Sequence, residues 1–95
     1  MEEVSAKVLL FATLREKYGV KELYVKCDGT VRNLIENAAS TLGESFFNDV
    51  YDDSAEKVRD NLIFLINGRN IRDIKGIIKI KDGDEIAIFP PVAGG

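Results

Sequence analysis

The chain has 95 residues, 45% of them hydrophobic and 31% charged, which is the balance of one small globular domain with a single core. It contains no histidine and one cysteine, Cys27, which excludes an internal disulfide, a zinc site of Cys and His ligands, and Ser/His or Cys/His catalytic pairs. The formal net charge of -3 argues against a nucleic-acid partner, and the acidic N-terminus and the lack of a long apolar run predict a cytoplasmic protein with no membrane segment. We expect no bound metal or cofactor.

Two strands are predicted at the start of the chain. Residues 4–11 alternate between apolar and polar before they end fully apolar, which indicates a strand buried on both faces in the middle of a sheet. A charged stretch over residues 14–17 and the breaker Gly19 separate it from a second alternating run over residues 20–26. We expect these two strands to pair as a hairpin.

The clearest signal is an α-helix over residues 31–42. Thr30 stands in the N-cap position, and Gly43 is placed to end the helix in a left-handed cap. Six apolar residues recur at the spacing of one helix face, namely Val31, Leu34, Ile35, Ala38, Ala39 and Leu42.

The second half of the chain predicts three more strands. Residues 44–61 show no clear period, and we interpret them as an irregular excursion with one or two helical turns. Residues 62–66 form a continuous apolar run that ends at Asn67-Gly68, a strong hairpin signal, and a short return strand is expected over residues 70–72. Residues 74–80 are apolar at alternate places, a turn follows at Asp82-Gly83-Asp84, and residues 85–89 form the last strand.

This order of elements predicts an α+β fold of the β-grasp class. One main helix packs across a mixed sheet, and the first and last strands lie side by side and parallel in its middle. We divide the chain into a domain over residues 1–89 and a flexible, extended C-terminal tail over residues 90–95.

The tail is uncharged and reads Pro90, Pro91, Val92, Ala93, Gly94, Gly95. The two prolines stop the strand and favour an extended backbone, so that six residues reach roughly 20 Å. Glycine leaves room for close approach of another protein's active site, so the carboxylate of Gly95 is the candidate reacting group and the five preceding residues deliver it. Attack of that carboxylate on ATP gives an acyl-adenylate, and sulfur delivered to the same carbon gives a thiocarboxylate. The alternative is an inert, frayed terminus.

Residues 82–95 resemble the ending of the MoaD-like small subunit of molybdopterin synthase, a ubiquitin-like sulfur carrier family. Residues 11–16 resemble that family's first strand and loop, and residues 65–68 resemble its mid-chain hairpin. The resemblance implies that a ThiF-like or ubiquitin-activating-like adenylyltransferase uses ATP to adenylate Gly95, which is then thiocarboxylated. The sulfur then passes to a pterin precursor in the active site of a MoaE-like large subunit, which builds the dithiolene that binds molybdenum or tungsten. Catalytic side chains would lie on these partners, and the chain would be a sulfur-donating cosubstrate.

The long segment over residues 44–61 resembles archaeal members and implies an alternative function. Some archaeal relatives act as ubiquitin-like modifiers and join their terminal glycine to lysines of target proteins. The same acyl-adenylate serves either outcome, with sulfide or an amine as the nucleophile.

Several further residues have two interpretations. Phe89 is a candidate partner contact or the end of the core, and Arg15 is a candidate for binding acidic groups of a partner or a solvated arginine. Arg69 and Arg72 have the same two interpretations as Arg15. Cys27 is expected to be a packing residue, and the acidic pair at residues 52–53 a solvated loop.

Overall fold

A five-stranded mixed sheet with helices packed against one face forms the frame of the protein in a computed structural model, which describes residues 3–90. Of the predicted tail, Pro90 lies within this range, and Pro91 to Gly95 lie outside it. In chain order the elements are β1 (Val4–Leu10), α1 (Ala12–Tyr18), β2 (Glu22–Cys27), α2 (Val31–Leu42), α3 (Glu44–Val50), β3 (Tyr51–Asp52), β4 (Lys57–Val58), β5 (Ile63–Ile66), β6 (Arg69–Asn70), a 3₁₀ helix (Ile71–Asp73) and β7 (Glu85–Phe89).

The strand order of the main sheet is β2-β1-β7-β5-β6. The first and last strands are parallel neighbours, with Val8 opposite Ile86, and every other pairing is antiparallel. This confirms the predicted mixed sheet and the parallel pair in its middle. The alternate residues Val8, Leu10, Ile86 and Ile88 of these two central strands are almost fully buried, because they lie on the face of the sheet that the helices cover.

Helix α2 is the longest helix of the described residues and packs across the sheet, as predicted. Thr30 caps it, since its Oγ1 accepts a hydrogen bond of 3.1 Å from the Asn33 N–H. Leu34, Ile35 and Ala38 are buried on its inner face. Gly43 ends α2 at the predicted position, but its φ of 125° and ψ of 152° are not those of the predicted left-handed cap, because Gly43 links α2 directly to α3.

The connection between β1 and β2 differs from the prediction of a hairpin loop. The two strands do pair antiparallel, but β1 ends at Leu10, β2 begins at Glu22, and the charged stretch between them is helix α1. Leu14 turns inward and is buried. Gly19 ends the helix in the left-handed region and donates its N–H to the Arg15 carbonyl over 2.8 Å.

Residues 44–61 are more regular than predicted. Helix α3 corresponds to the predicted helical turns, with Phe46 and Val50 fully buried, and β3 and β4 pair in a separate two-stranded sheet. The predicted return strand is shifted, since β6 covers residues 69–70 and the 3₁₀ helix follows at once. Residues 74–80 form no regular element, although Ile80 is fully buried.

Candidate functional site

The last described residues leave the fold from the centre of the sheet. Phe89 ends β7 and lies opposite Ile63 of β5, while on the other side the Phe11 N–H donates to the Ile88 carbonyl over 3.3 Å. Pro90 follows directly and supplies no N–H for further pairing. The predicted functional residues Pro91, Val92, Ala93, Gly94 and Gly95 lie outside the described residues. The point from which they extend, called the tail root below, comprises Phe11, Arg15, Ile63 and Phe89.

Two aromatic rings stack at the tail root. The rings of Phe11 and Phe89 have centroids 4.2 Å apart and planes 8° apart. Because side chains alternate along a strand and Ile88 is buried against the helices, Phe89 lies on the opposite, helix-free face of the sheet. Ile63 lies beside it and is 44% exposed. The tail root therefore presents aromatic and aliphatic surface beside the start of the tail.

Arg15 lies against the aromatic ring of Phe11. Its Nε donates a hydrogen bond of 3.0 Å to the Leu10 carbonyl, and its guanidinium carbon is 5.3 Å from the centroid of the Phe11 ring. Within residues 3–90, its two terminal nitrogens form no hydrogen bond or ion pair. The structure thus brings the two predicted partner contacts, Arg15 and Phe89, into one cluster, with Phe11 between them.

Helix α1 fixes the position of Arg15 because it is tied to α3. The Tyr18 hydroxyl donates to Asp49 Oδ2 over 2.5 Å, and Lys17 Nζ lies 2.7 Å from the same oxygen. The Tyr18 ring also packs edge-on against Phe46, with centroids 5.3 Å apart. Burial alone would raise the pKa of Asp49, but the hydrogen bonds from Lys17 and Tyr18 outweigh it and hold that pKa below its ordinary value.

The backbone at Ala12 is strained where β1 turns into α1. Ala12 has φ 50°, a conformation that residues with a side chain adopt at a cost of about 1 kcal/mol. After this turn the Arg15 N–H donates to the Phe11 carbonyl over 3.4 Å, and the Arg15 guanidinium lies over the Phe11 ring. Backbone strain clusters at functional sites in proteins, so the conformation of Ala12 supports the tail root as a candidate site.

The other candidates lie away from the tail root. Arg69 pairs with Ile66, three residues along β5 from Ile63 and hence about 10 Å away, and both Arg69 and Arg72 are exposed. Cys27 is buried and accepts a weak hydrogen bond from the Gly29 N–H, and its burial raises the pKa of its thiol. This confirms Cys27 as a packing residue. Within residues 3–90, no three Asp, Glu or Cys side chains cluster closely enough to hold a metal ion.

Sequence reasoning identified Phe89 and Arg15 but missed Phe11 as a member of the site. Phe11 was assigned to the end of the first strand, whereas it stands just after β1 and caps α1. A usable signal was present: an aromatic residue ends both the first and last predicted strands, and these strands were expected to be parallel neighbours.

Among residues 3–90, none of the helices is long and apolar enough to cross a membrane.

The mixed sheet, the helix across it and a tail that starts at its centre define a ubiquitin-like protein of the β-grasp class. The model of the ThiS family matches residues 8–95. The chain belongs to the ThiS family, and the resemblance to ubiquitin-like sulfur carriers is confirmed.

Relatives and solved structures resemble the chain over nearly its full length. The molybdopterin synthase sulfur carrier subunit of Anopheles gambiae is 31% identical over 94 residues, which cover 99% of this chain and 96% of the relative. Small archaeal modifier protein 3 of Haloferax volcanii is 34% identical over 88 residues, covering 90% and 92% of the two chains. The solution structure of small archaeal modifier protein 1 from Methanosarcina acetivorans superimposes with a TM-score of 0.78 at 32% identity and covers all of both chains.

Proposed function

We propose that this chain is the sulfur carrier subunit of a molybdopterin synthase, with the carboxylate of Gly95 as its reacting group. The observation that supports this most strongly is the course of β7, which runs through the centre of the sheet and ends at the tail root. The likeness to the Anopheles gambiae sulfur carrier subunit extends over 99% of the chain and supports the same activity.

The proposed chemistry occurs at one carbon. A carboxylate oxygen of Gly95 attacks the α-phosphorus of ATP, pyrophosphate leaves, and an acyl-adenylate forms. Hydrosulfide then attacks the acyl carbon, the bond to AMP breaks, and the glycine ends in a thiocarboxylate. That group is an anionic sulfur nucleophile at neutral pH, whereas an ordinary cysteine thiol with a pKa near 8.5 is mostly protonated. The thiocarboxylate sulfur attacks a carbon of a pterin precursor and displaces a leaving group there, so that a thioester joins the two molecules. Water then attacks the acyl carbon and the bond between that carbon and sulfur breaks, which leaves the sulfur on the pterin and restores the carboxylate of Gly95.

Two partners have to accept the same tail. We propose a ThiF-like or ubiquitin-activating-like adenylyltransferase for the first step and a MoaE-like large subunit for the second. Pro91 to Gly95 span about 16 Å when extended, which is long enough to enter a channel while the domain stays outside. The tail root then lies at the channel mouth, where Phe89, Phe11 and Ile63 offer apolar contacts and Arg15 offers a cation to an acidic group.

The runner-up function is a ubiquitin-like protein modifier. The likeness to small archaeal modifier protein 3 of Haloferax volcanii, at 34% identity, favours this candidate. The same acyl-adenylate would react with the amine of a lysine in a target protein, so an isopeptide bond would form and AMP would leave. The tail root would dock on the activating enzyme in both cases.

Intact-mass spectrometry after incubation with the adenylyltransferase, ATP and sulfide tests the main proposal. We expect one terminal oxygen to be replaced by sulfur, and we expect the loaded protein to convert a pterin precursor when the large subunit is added. A variant without Gly95 should fold normally, as judged by circular dichroism, and should remain unmodified. An unchanged mass of the full chain under these conditions would contradict the sulfur carrier function, and conjugates to lysine found in cells would support the modifier.

A further inference from the structure

Strand β2 forms one edge of the main sheet, on the side away from β7. Its alternate residues Glu22, Tyr24 and Lys26 are exposed on the helix-free face, and Tyr24 is 71% exposed. Leu23 and Val25 point to the helix face instead. A regular six-residue edge strand with an exposed aromatic residue at its middle is a site where another strand can add.

The hydrogen bonds of β1 fix which backbone groups of β2 face outward. The Lys7 N–H donates to the Asp84 carbonyl, so the backbone N–H of Lys7 points toward β7. The Leu10 N–H donates to the Lys21 carbonyl, so the backbone N–H of Leu10 points toward β2. In an antiparallel ladder the bonded pairs alternate, so Leu23 and Val25 bond to β1. The N–H and C=O groups of Glu22, Tyr24 and Lys26 therefore point away from the sheet.

The order of these three residues is self-complementary. We propose that two copies of this chain pair antiparallel through their β2 edges, with Tyr24 of one copy opposite Tyr24 of the other. Glu22 of each copy then lies opposite Lys26 of the other copy, which gives two ion pairs that flank an aromatic pair. Such cross-strand pairs of aromatic and of opposite-charge residues are the ones that stabilise antiparallel sheets.

Other arrangements of the same edge lose these contacts. Parallel pairing in register would place Glu22 opposite Glu22 and Lys26 opposite Lys26. An antiparallel shift by two residues would place Tyr24 opposite a charged residue and would remove both ion pairs. The charge order thus favours one register and a second copy of this chain over an unrelated strand.

Two contacts within the monomer involve the same edge, and neither blocks it. Asn37 Nδ2 donates to the Lys26 carbonyl over 2.7 Å, and a carbonyl oxygen has a second lone pair for an incoming N–H. Glu22 lies 3.8 Å from Lys7, a long and half-exposed ion pair that is worth little. Among residues 3–90, no other side chain forms a hydrogen bond with the outward backbone groups of β2.

The proposed pairing leaves the tail root accessible. Strand β1 lies between β2 and β7, so the paired edge and the tail root are on different strands. Opposed residues of two paired strands share one face, so the helix-free faces of both copies lie on the same side of a continuous sheet. The two tails would start from opposite ends of that sheet, and each could enter a partner independently.

Sedimentation velocity over a range of protein concentrations tests the proposal. We expect a weak dimer with a Kd between about 10 µM and 1 mM, since an edge pair of this length buries little surface. Glu22→Lys and Lys26→Glu each turn both ion pairs into repulsions and should weaken the dimer about tenfold or more. An equimolar mixture of the two variants restores opposite charges at both positions and should dimerise again.

Matched controls separate edge pairing from other association. Lys75→Glu reverses an exposed charge outside the edge, and Ile77→Ser removes a side chain that is 96% exposed, so both should leave the dimer unchanged. Tyr24→Pro removes an outward N–H that β1 does not use and should abolish the dimer without unfolding the chain, as circular dichroism will check. A full chain that stays monomeric at about 1 mM would overturn the proposal. So would a dimer that ignores the Glu22 and Lys26 substitutions, or one that Ile77→Ser disrupts.

Discussion

Replacing Phe89 with alanine separates the contribution of the tail root to stability from its contribution to partner binding. The Phe89 ring is half-buried and stacks on Phe11 at 4.2 Å. Truncating a fully buried phenylalanine costs about 3–5 kcal/mol, and an aromatic pair contributes about 0.5–1.5 kcal/mol of its own. For this half-buried ring at the end of β7 we expect a loss of about 1–2 kcal/mol in the free energy of unfolding.

The expected effect on partner binding is larger. Aromatic residues at the centre of an interface cost about 2 kcal/mol or more when truncated, which corresponds to roughly a 30-fold increase in Kd. The measurements are thermal unfolding of the free chain and titration calorimetry against the large subunit and against the adenylyltransferase. Ile77→Ala is the control, since it removes an aliphatic side chain that is 96% exposed and lies outside both the tail root and the β2 edge.

Two results would refute this reasoning. If Phe89→Ala and Ile77→Ala had equal effects on partner affinity, the tail root would have no special role in docking. If the double variant Phe11→Ala/Phe89→Ala lost as much stability as the sum of the two single variants, the rings would not be coupled. From their stacking we expect a coupling free energy of about 0.5–1.5 kcal/mol in that double-mutant cycle.

Three further substitutions test the elements that support the site. Asp49→Asn should lose about 0.5–1 kcal/mol of stability at neutral pH. The burial of Asp49 is outweighed by hydrogen bonds from Lys17 and Tyr18, which lower its pKa, so this difference should be present at neutral pH. It should disappear in acid unfolding curves as the pH falls through the lowered pKa. Thr30→Ala removes the cap of α2 and should cost about 1 kcal/mol in urea denaturation, while Thr30→Ser should restore most of it. Gly29→Ala should destabilise by about 1 kcal/mol or more, because Gly29 has φ 97° and a new Cβ would lie 3.3 Å from a backbone oxygen.

The elements that the sequence predicted well are those with strong local patterns. Helix α2 has a full stripe of apolar residues and a capping threonine, and residues 62–66 end in a turn signal. Helix α1 was missed because seven residues are too few to form a stable helix alone. It forms because Leu14 is buried in the core and Tyr18 bonds to Asp49, and neither contact is visible from the spacing of residues 12–18.

The candidate site was predictable only in part, because some of its residues have strong local patterns and others meet only through long-range contacts. Phe89 stood out because it precedes two prolines at the end of an apolar strand. Its stacking on Phe11 depends on the register between β1 and β7, which are separated by most of the chain. Arg15 was expected in a loop, but its contact with Phe11 requires the turn at Ala12 that starts α1. The register between distant strands and local backbone strain are the two features that sequence patterns do not reveal.

The position of β7 explains how a rigid domain can serve a reaction at its terminus. Because β7 is paired with both β1 and β5 and contains the buried residues Ile86 and Ile88, opening this strand requires loss of the central core. Phe89 and Pro90 are thus held by the most stable part of the sheet. Under the proposed function, a partner docked on the tail root would receive the following five residues from a fixed starting point, which would limit the conformational entropy lost on positioning the Gly95 carboxylate. Substitutions in the core of β7 should accordingly reduce stability and transfer together, whereas substitutions in the tail should reduce transfer alone.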